Sequence, residues 1–396
     1  MTMSDRWQLP EGIEELLPEQ AAQVEALRRH ILDLFAGWGY QLVIPPLLEY
    51  TESLLIGLGR DIDLQSFKVI DQLSGRMLAI RADITPQTAR IDAHSLNSSG
   101  VQRLCYAGSV LHTMPKSLKA SRAPIQVGAE LYGAALVDAD IEVVCLMLET
   151  LTHLGVEEIT LDLGHVGIYR ELLKHAALSA AQEEELFDLL QRKNLSDLRG
   201  WLSAHAGNEK FSAIILRLAQ LNGATEVLAQ ARNDMASAGP VVLAAIEQLQ
   251  QVTQCVQTRY PQVNLYFDLS ELRGYHYHTG LVFAAYSPGS GRAIANGGRY
   301  DEIGAVFGRA RPATGFNTDL KSLLALANCP ALGPLATSAI HAPNSTDLDL
   351  WARVRELRAS GEGVVADVAA TGDYQSYARM LRQDADGKWQ VVNSND

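Results

Sequence analysis

Apolar residues recur every three or four positions between about residues 19 and 36, and polar residues fill the positions between them. This spacing predicts an amphipathic helix whose apolar face carries Val24, Leu27, Ile31, Leu34 and Phe35. The same periodicity predicts a second helix over "DADIEVVCLMLETLTHLG". Between the two, short runs rich in β-branched and aromatic residues alternate with turn residues, which indicates strands. The predicted strands are "YQLVIPP", the hairpin "SFKVIDQLSGRMLAIRAD", "VQRLCYAGSVLH" and "PIQVGAELYG".

The pattern changes after the strand "ITLDLG". Residues 175–258 are rich in Ala, Leu and Gln with hardly any strand signal, which predicts a helical insertion. Strand patterns resume with "VNLYFDLSEL" and "YHTGLVFAAY", followed by a predicted turn at "ANGGRYD" and a predicted helix over about 317–327.

The chain after residue 328 has a different organisation. Two prolines and a glycine in residues 328–337 indicate a linker. Beyond it, the pattern predicts a strand, a helix, a strand and a final helix over "DYQSYARMLRQ". We therefore predict two domains, a core over residues 1–329 that contains the insertion, and a short α/β domain over residues 330–396.

Charge and cysteine content limit the possible partners and compartment. The chain has 33 Lys and Arg against 46 Asp and Glu, a net charge of −13, so a nucleic acid is a poor candidate partner. Cys105, Cys145, Cys255 and Cys329 lie far apart with no C-x-x-C pair, which indicates reduced thiols. The acidic, proline-broken N-terminal segment does not resemble a signal peptide, and no apolar run approaches the roughly 20 residues of a membrane span. We expect a soluble, cytoplasmic protein.

The segment "LRGYHYHTGLVF" concentrates the chain's most unusual chemistry. If it is extended, Tyr275 and Tyr277 face one side while His276 and His278 face the other. Such a segment is interpreted either as one polar wall of a pocket or as ordinary aromatic packing with half-exposed histidines. A zinc site is a poor explanation because no spacing supplies a third protein ligand.

Polar residues in two other segments are weaker candidates when each is taken alone. Asp83 and Thr85 lie in "RADIT", where Thr85 is predicted to cap a helix that begins at Pro86. Gln126 and Glu130 lie in "QVGAE", where Glu130 fits the solvent face of a strand. When Thr85 or Glu130 is taken alone, a purely structural role is the preferred explanation.

Taken together and in order, these segments resemble the class II histidyl-tRNA synthetase family over most of residues 10–327. The segments that carry the resemblance are "FAGWGYQLVIPPLLE", "RADITPQTAR" with "YAGSVLH" and "QVGAELYG", "LRGYHYHTGLVF", and "NGGRYD" with "TGFNTDLKSL". The resemblance implies an α+β fold, a class II aminoacyl-tRNA synthetase-like antiparallel sheet flanked by helices, with a helical insertion and a short α/β C-terminal segment.

The resemblance also implies an amino-acid pocket, whose residues have separate roles. Asp83, Thr85 and Gln126 would hold the α-ammonium group, and Glu130 would face the imidazole of histidine. The carboxylate would pair with Arg273, whose planar guanidinium suits such a partner. Tyr277 and His278 would line the ring, although the family usually carries tyrosines at both positions.

Two departures from the family lie where synthetases bind ATP. His112 occupies the position of an arginine that holds the phosphates, and Ser322 occupies that of a second arginine that packs on the nucleotide. Each loss of such a donor costs on the order of 10² to 10³ in rate, and independent losses roughly multiply. We therefore expect almost no adenylate formation, and we expect no tRNA partner because the tail is short and the chain is acidic.

Within that family, the sequence resembles the regulatory subunits of ATP phosphoribosyltransferase. This resemblance implies a non-catalytic protein with no cofactor or metal ion. It would pair with the short-form catalytic subunit in a hetero-octamer, for the first step of L-histidine biosynthesis. It further implies histidine as a feedback effector and a homodimer formed through the first motif, around residues 40–49. Two alternatives remain open, namely an aminoacyl transferase or ligase paralogue that still activates an amino acid, and a free-standing amino-acid-binding module with another partner.

Overall fold

The computed structural model describes residues 7–54, 60–115, 120–174, 176, 178–205, 208–272, 274–275, 277–328, 339–367 and 377–394. The chain divides into two compact units, one comprising Met1–Leu16 with Val24–Cys329 and the other Leu17–Gln23 with Pro330–Asp396. Among the described residues, none of the helices combines the length and apolar character needed to cross a membrane.

The α-helices of the described residues are, in chain order, α1 (Pro18–Gly37), α2 (Thr51–Leu54), α3 (Arg60–Gln65), α4 (Thr85–Arg90), α5 (Val137–His153), α6 (Val166–Leu173), α7 (Ala180–Arg192), α8 (Leu195–His205), α9 (Glu209–Leu218), α10 (Glu226–Asp234), α11 (Pro240–Arg259), α12 (Leu320–Leu324) and α13 (Leu348–Ala359). The strands are β1 (Gln41–Leu42), β2 (Leu48–Tyr50), β3 (Lys68–Ile70), β4 (Met77–Ile80), β5 (Gln102–Ser109), β6 (Ile125–Tyr132), β7 (Thr160–His165), β8 (Asn222–Gly223), β9 (Asn264–Asp268), β10 (Leu281–Tyr286), β11 (Ala295–Arg299), β12 (Ala313–Asp319), β13 (Ile340–Ala342), β14 (Val364–Ala366), β15 (Arg379–Gln383) and β16 (Trp389–Asn393).

A large sheet forms the centre of the first unit, with the strand order β1-β5-β6-β12-β11-β10-β7-β9-β8. The consecutive pairs from β5 to β7 are antiparallel, while β1 with β5 and β7 with β9 are parallel. Helix α5 is almost entirely buried along its apolar face and contacts β6, β11 and β12. The predicted antiparallel sheet flanked by helices is confirmed.

A small antiparallel sheet, β2-β4-β3, contains the predicted hairpin. The second unit has a separate sheet with the order β14-β13-β15-β16, and α13 packs on it. Its core comprises Ile340, Ala342, Leu350, Val354, Leu357, Val364 and Leu381.

Three local predictions are wrong. Residues 317–319 belong to strand β12, so only Leu320–Leu324 of the predicted helix is helical. Residues Arg379–Gln383 form β15 instead of a helix because β13 and β16 pair with both of its edges. The "NGGR" segment lies inside β11, where its glycines leave room for neighbouring strands instead of turning the chain. In each case strand pairing outweighs local sequence preference.

A buried ion pair fastens α5 to the end of β11. Arg299 is 7% exposed and donates through Nη2 to Asp140 Oδ2 at 2.8 Å, and Asp140 is 2% exposed. The guanidinium also donates to Asp301 Oδ1 at 3.2 Å and to the Ala134 carbonyl at 3.3 Å. Burial raises the pKa of Asp140, and the adjacent guanidinium opposes that effect.

We expect Arg299→Met to lower the free energy of unfolding by about 3–5 kcal/mol, because it leaves the Asp140 carboxylate buried without its counter-ion. Urea denaturation followed by circular dichroism measures this change. Arg192→Met is the matched control, since its pair with Asp188 is exposed and is expected to contribute about 0–1 kcal/mol. Equal losses in the two variants would contradict the assigned role of Arg299.

Candidate functional site

A buried carboxyl group forms the floor of a small cavity at the centre of the large sheet. Glu130, on β6, is 1% exposed. Its Oε1 accepts hydrogen bonds from Thr85 Oγ1 at 2.9 Å and from the Tyr106 hydroxyl at 3.0 Å. Its Oε2 accepts from the Tyr300 hydroxyl. Glu130 therefore does not lie on a solvent face, and Thr85 is not the predicted cap, because Thr85 is itself the first residue of α4 and its hydroxyl points to the carboxyl group.

Glycine at position 315 makes space for this carboxyl group. Gly315, on β12, lies directly opposite Glu130, and a Cβ atom built there would collide with Glu130 Oε2. The neighbouring Gly297, on β11, likewise has no room for a side chain because the Gly315 carbonyl and the Phe283 ring lie against it. The two glycines thus allow the Glu130 carboxyl group and the Phe283 ring to occupy the space that side chains on β11 and β12 would take.

Burial raises the pKa of Glu130 to about 8, and the negative charge of Asp83 acts in the same direction. The hydrogen bonds from Tyr300, Thr85 and Tyr106 oppose this shift but do not cancel it. Near neutral pH, Glu130 is accordingly protonated for most of the time.

Asp83 lies at one side of the same cavity. Its Oδ1 accepts from the Gln126 side-chain amide at 2.9 Å and from the Thr85 backbone N–H at 3.0 Å. Gln126 Oε1 in turn accepts from the Ile84 backbone N–H at 2.8 Å. These bonds fix the Asp83 carboxylate with neutral partners, so its charge remains available to a cationic ligand.

Aromatic side chains from the loop before β10 form the opposite wall. The described residues Gly274, Tyr275 and Tyr277 lie in turns, with Gly274 at φ +65°, so the alternation of faces that an extended segment would give does not apply. The Tyr277 ring stacks on Tyr300 with centroids 4.9 Å apart, and the His278 ring lies 5.2 Å from Tyr277. The Tyr277 hydroxyl is fully enclosed and has no hydrogen-bond partner among the described residues.

The cavity has a volume of about 100 Å³. It is lined by Asp83, Thr85, Glu130, Tyr277, His278, Asn296, Gly297, Tyr300, Gly315, Phe316 and Asn317. The structure therefore brings together five of the seven pocket residues that the sequence predicts, and Gln126 is hydrogen-bonded to one of them. Arg273 and His276 lie outside the described residues.

A second cavity, of about 250 Å³, adjoins the first and shares Asn296 and Asn317 with it. His112 and Ser322, the two positions at which the resemblance implies ATP-binding arginines in the family, both line this second cavity. His112 is 3% exposed and its Nε2 lies 3.0 Å from the Ala82 carbonyl oxygen. Ser322 donates to Asp319 Oδ2 at 2.6 Å.

The second cavity is also lined by a cationic side chain, Arg292, that the sequence did not indicate. Arg292, in the connection between β10 and β11, donates through Nη2 to Ser322 Oγ at 2.6 Å. Arg292 thereby places a guanidinium group next to Ser322. No signal in the sequence points to this contact, because 30 residues separate the partners. The sequence also did not indicate that Tyr106 and Tyr300 donate hydrogen bonds to Glu130, although both lie inside the segments that carry the resemblance.

The described residues contain no group of three or more His, Cys, Asp or Glu side chains that could hold a metal ion. The polar groups that line the cavity are carboxyl, hydroxyl, amide and imidazole groups. They suit a small organic ligand that carries both a positive charge and hydrogen-bonding nitrogens.

Comparisons with known proteins identify the family to which the chain belongs. A histidyl-tRNA synthetase family model matches residues 12–323, which places the core among class II synthetase-like proteins. A second model, for the C-terminal domain of the ATP phosphoribosyltransferase subunit HisZ, matches residues 337–392. The ATP phosphoribosyltransferase regulatory subunit of Thioalkalivibrio sulfidiphilus is 52% identical over 99% of this chain and 100% of that protein. The chain therefore belongs to the family of ATP phosphoribosyltransferase regulatory subunits.

Two solved structures have a similar fold. A crystal structure described as an ATP phosphoribosyltransferase regulatory subunit/histidyl-tRNA synthetase from Bacillus halodurans has a TM-score of 0.80 and 26% identity, covering 93% of this chain and 95% of that one. A chain of the ATP phosphoribosyl transferase (HisG:HisZ) complex from Thermotoga maritima has a TM-score of 0.57 and 20% identity, covering 75% and 97%. The second likeness concerns the fold alone.

The raised pKa of Glu130 predicts a pH dependence of stability. Between the ordinary pKa of 4.5 and the folded value of about 8, the folded chain binds a proton that the unfolded chain releases. We therefore expect the free energy of unfolding, measured relative to Glu130→Gln, to fall as the pH rises from about 5 to about 8, and to level off above that range. Urea denaturation of both proteins at intervals of one pH unit measures the difference.

Glu226→Gln provides the control for this experiment, because Glu226 is exposed on α10. The difference in the free energy of unfolding between Glu226→Gln and the unmodified chain should not change over the same pH range. If the difference in the free energy of unfolding between Glu130→Gln and the unmodified chain is also independent of pH, the pKa of Glu130 is not raised in the folded chain.

Proposed function

We propose that this chain binds L-histidine in the cavity around Glu130 and that the bound amino acid regulates a catalytic partner. As a member of its family, the chain is a non-catalytic regulatory subunit of ATP phosphoribosyltransferase, which acts in the first step of histidine biosynthesis. Feedback inhibition through this cavity is our proposal. The observation that carries it is the convergence of Asp83, Thr85, Glu130, Tyr277 and His278 on one cavity.

The chemistry of the cavity matches the two ends of a histidine molecule. Asp83 offers a carboxylate to the α-ammonium group, with Thr85 and Gln126 beside it as neutral partners. Glu130 offers a carboxyl group to the imidazole. The raised pKa of Glu130 allows this carboxyl group to donate a hydrogen bond to an imidazole nitrogen, and its oxygens can also accept one from an imidazole N–H. Arg273 would receive the carboxylate, as the family resemblance implies.

We further propose that the adjoining cavity has lost ATP activation. His112 and Ser322 occupy the two degenerate positions, and both side chains are held by neighbouring protein groups. Arg292 and Lys321 do supply positive charge nearby, but Arg292 bonds Ser322 and Lys321 pairs with Glu14 at 2.6 Å. Each of these two cations therefore already contacts a protein group, and a triphosphate would have to compete with those contacts.

The proposed assembly is a homodimer through the first motif, joined to short-form catalytic subunits in a hetero-octamer. Exposed apolar side chains support the dimer, because they are concentrated in the segment around β1 and on the small sheet. They are Leu42, Ile44, Leu47, Leu48, Val69, Ile70 and Met77. We propose no tRNA partner, since the net charge is −13.

We also propose a cytoplasmic location and a two-domain organisation. Cys145 and Cys255 lie with their Sγ atoms 4.0 Å apart and unbridged, which suits a reducing compartment. The division of the chain into two compact units supports a core over 1–329, with its helical insertion at about 175–258, and a short α/β domain over 330–396.

We expect isothermal titration calorimetry to show L-histidine binding to the isolated chain. Asp83→Asn should weaken binding by about tenfold or more, because removing a charged hydrogen-bond acceptor costs about 1.5–3 kcal/mol. Histamine, which lacks the carboxylate, should bind more weakly than histidine. Glu52→Gln, at an exposed glutamate, is the control and should bind like the unmodified chain. An unchanged affinity in Asp83→Asn would place the ligand elsewhere.

The function itself is tested by mixing the chain with a short-form ATP phosphoribosyltransferase catalytic subunit. We expect a complex to elute on gel filtration and the catalytic rate to change, with histidine inhibiting the complex. Glu130→Gln should assemble normally but resist histidine inhibition. The isolated chain should show no histidine-dependent ATP–pyrophosphate exchange. A chain that neither binds the catalytic subunit nor alters its rate would refute the regulatory function, and rapid exchange would support a ligase.

A further inference from the structure

The loop before β10 directs its tyrosine rings towards two different parts of the first unit. Tyr277 stacks on Tyr300 in the wall of the Glu130 cavity. Tyr275 instead packs against the Tyr169 ring on α6 at 5.4 Å and against the Phe187 ring on α7 at 5.5 Å. One short turn therefore contacts both the cavity and the first helix of the helical insertion.

Backbone hydrogen bonds make the two sides of this turn move together. The N–H groups of Tyr277 and His278 both donate to the Gly274 carbonyl, at 2.8 and 2.7 Å. Arg170 Nη2 donates to the Tyr275 carbonyl at 2.7 Å, and its guanidinium lies 4.9 Å from the centre of the Tyr275 ring. Tyr275 can hardly shift without displacing the two side chains that face the cavity.

The α7 side of the contact also has little freedom. Leu186 and Leu190 anchor α7 in buried positions, and Phe187, between them, reaches the Tyr275 ring. A capping box at Ser179 and Gln182 fixes the start of this helix. A change in the position of the turn is therefore transmitted to a whole helix and not to a single side chain.

We infer that Tyr275 is a positioning residue that couples ligand occupancy of the Glu130 cavity to helix α7. This inference rests on the proposed function, because it describes how that site communicates with the rest of the subunit. A ligand that contacts Tyr277 and His278 selects one position of the turn, and Tyr275 transfers that preference to Phe187. By reciprocity, a change at Phe187 alters affinity in a cavity that Phe187 does not line.

The test compares Tyr275→Ala, Phe187→Ala and Tyr275→Phe with the unmodified full-length chain. L-histidine is the probe, its dissociation constant is measured by calorimetry, and hydrogen exchange of α7 is measured with and without it. We expect both alanine variants to weaken histidine binding by about 2- to 30-fold and to abolish histidine-dependent protection of α7. Tyr275→Phe retains the aromatic ring and should preserve both properties.

Two controls separate coupling from general loss of structure. Tyr266→Ala removes a 40% exposed tyrosine from β9 and should change neither affinity nor α7 protection. The double variant Tyr275→Ala/Phe187→Ala should bind no more weakly than either single variant, because both changes break the same contact.

The inference and the proposed function fail in different ways. If histidine binds but Phe187→Ala leaves both its affinity and α7 protection unchanged, the coupling is refuted and the binding site stands. If histidine does not bind the unmodified chain, the proposed site is refuted. If, in addition, Tyr275→Ala leaves the hydrogen exchange of α7 unchanged in the ligand-free chain, the coupling is refuted as well.

Discussion

A carboxyl group enclosed in the central sheet is the constraint around which this site is built. Glu130 lies among hydroxyl groups delivered by three separate elements, through Thr85 on α4, Tyr106 on β5 and Tyr300 after β11. An ionisable group in such a position is costly unless its partners are fixed. The surrounding strands must therefore hold their register closely, and the same arrangement excludes side chains at Gly315 and Gly297. Rigid strands beside an open volume are what ligand recognition requires.

The sequence predicted well those elements whose signal is local. The helices α1 and α5 have a regular apolar spacing, and the hairpin β3–β4 has β-rich arms around a turn, so neither needs information from distant residues. Residues 317–319 and β15 differ because their conformation is decided by pairing with strands far away in the sequence. The "NGGR" segment was misinterpreted because glycine serves two purposes. It turns a chain, and it also lets backbones approach.

The site shows the same division between local and distant information. Resemblance to a family grouped Asp83, Thr85, Glu130, Tyr277 and His278, and the structure places all five around one cavity, which no single segment could have indicated. It did not indicate contacts made by residues outside the segments that carry the resemblance. Arg292 reaches Ser322 from another loop, and only the folded chain reveals that pair.

The Arg292–Ser322 contact also determines what a substitution at position 322 would meet. An arginine introduced there would bring a second guanidinium group next to that of Arg292, and the two positive charges would repel each other beside the Asp319 carboxylate. The effect of a substitution at either position therefore depends on which residue stands at the other.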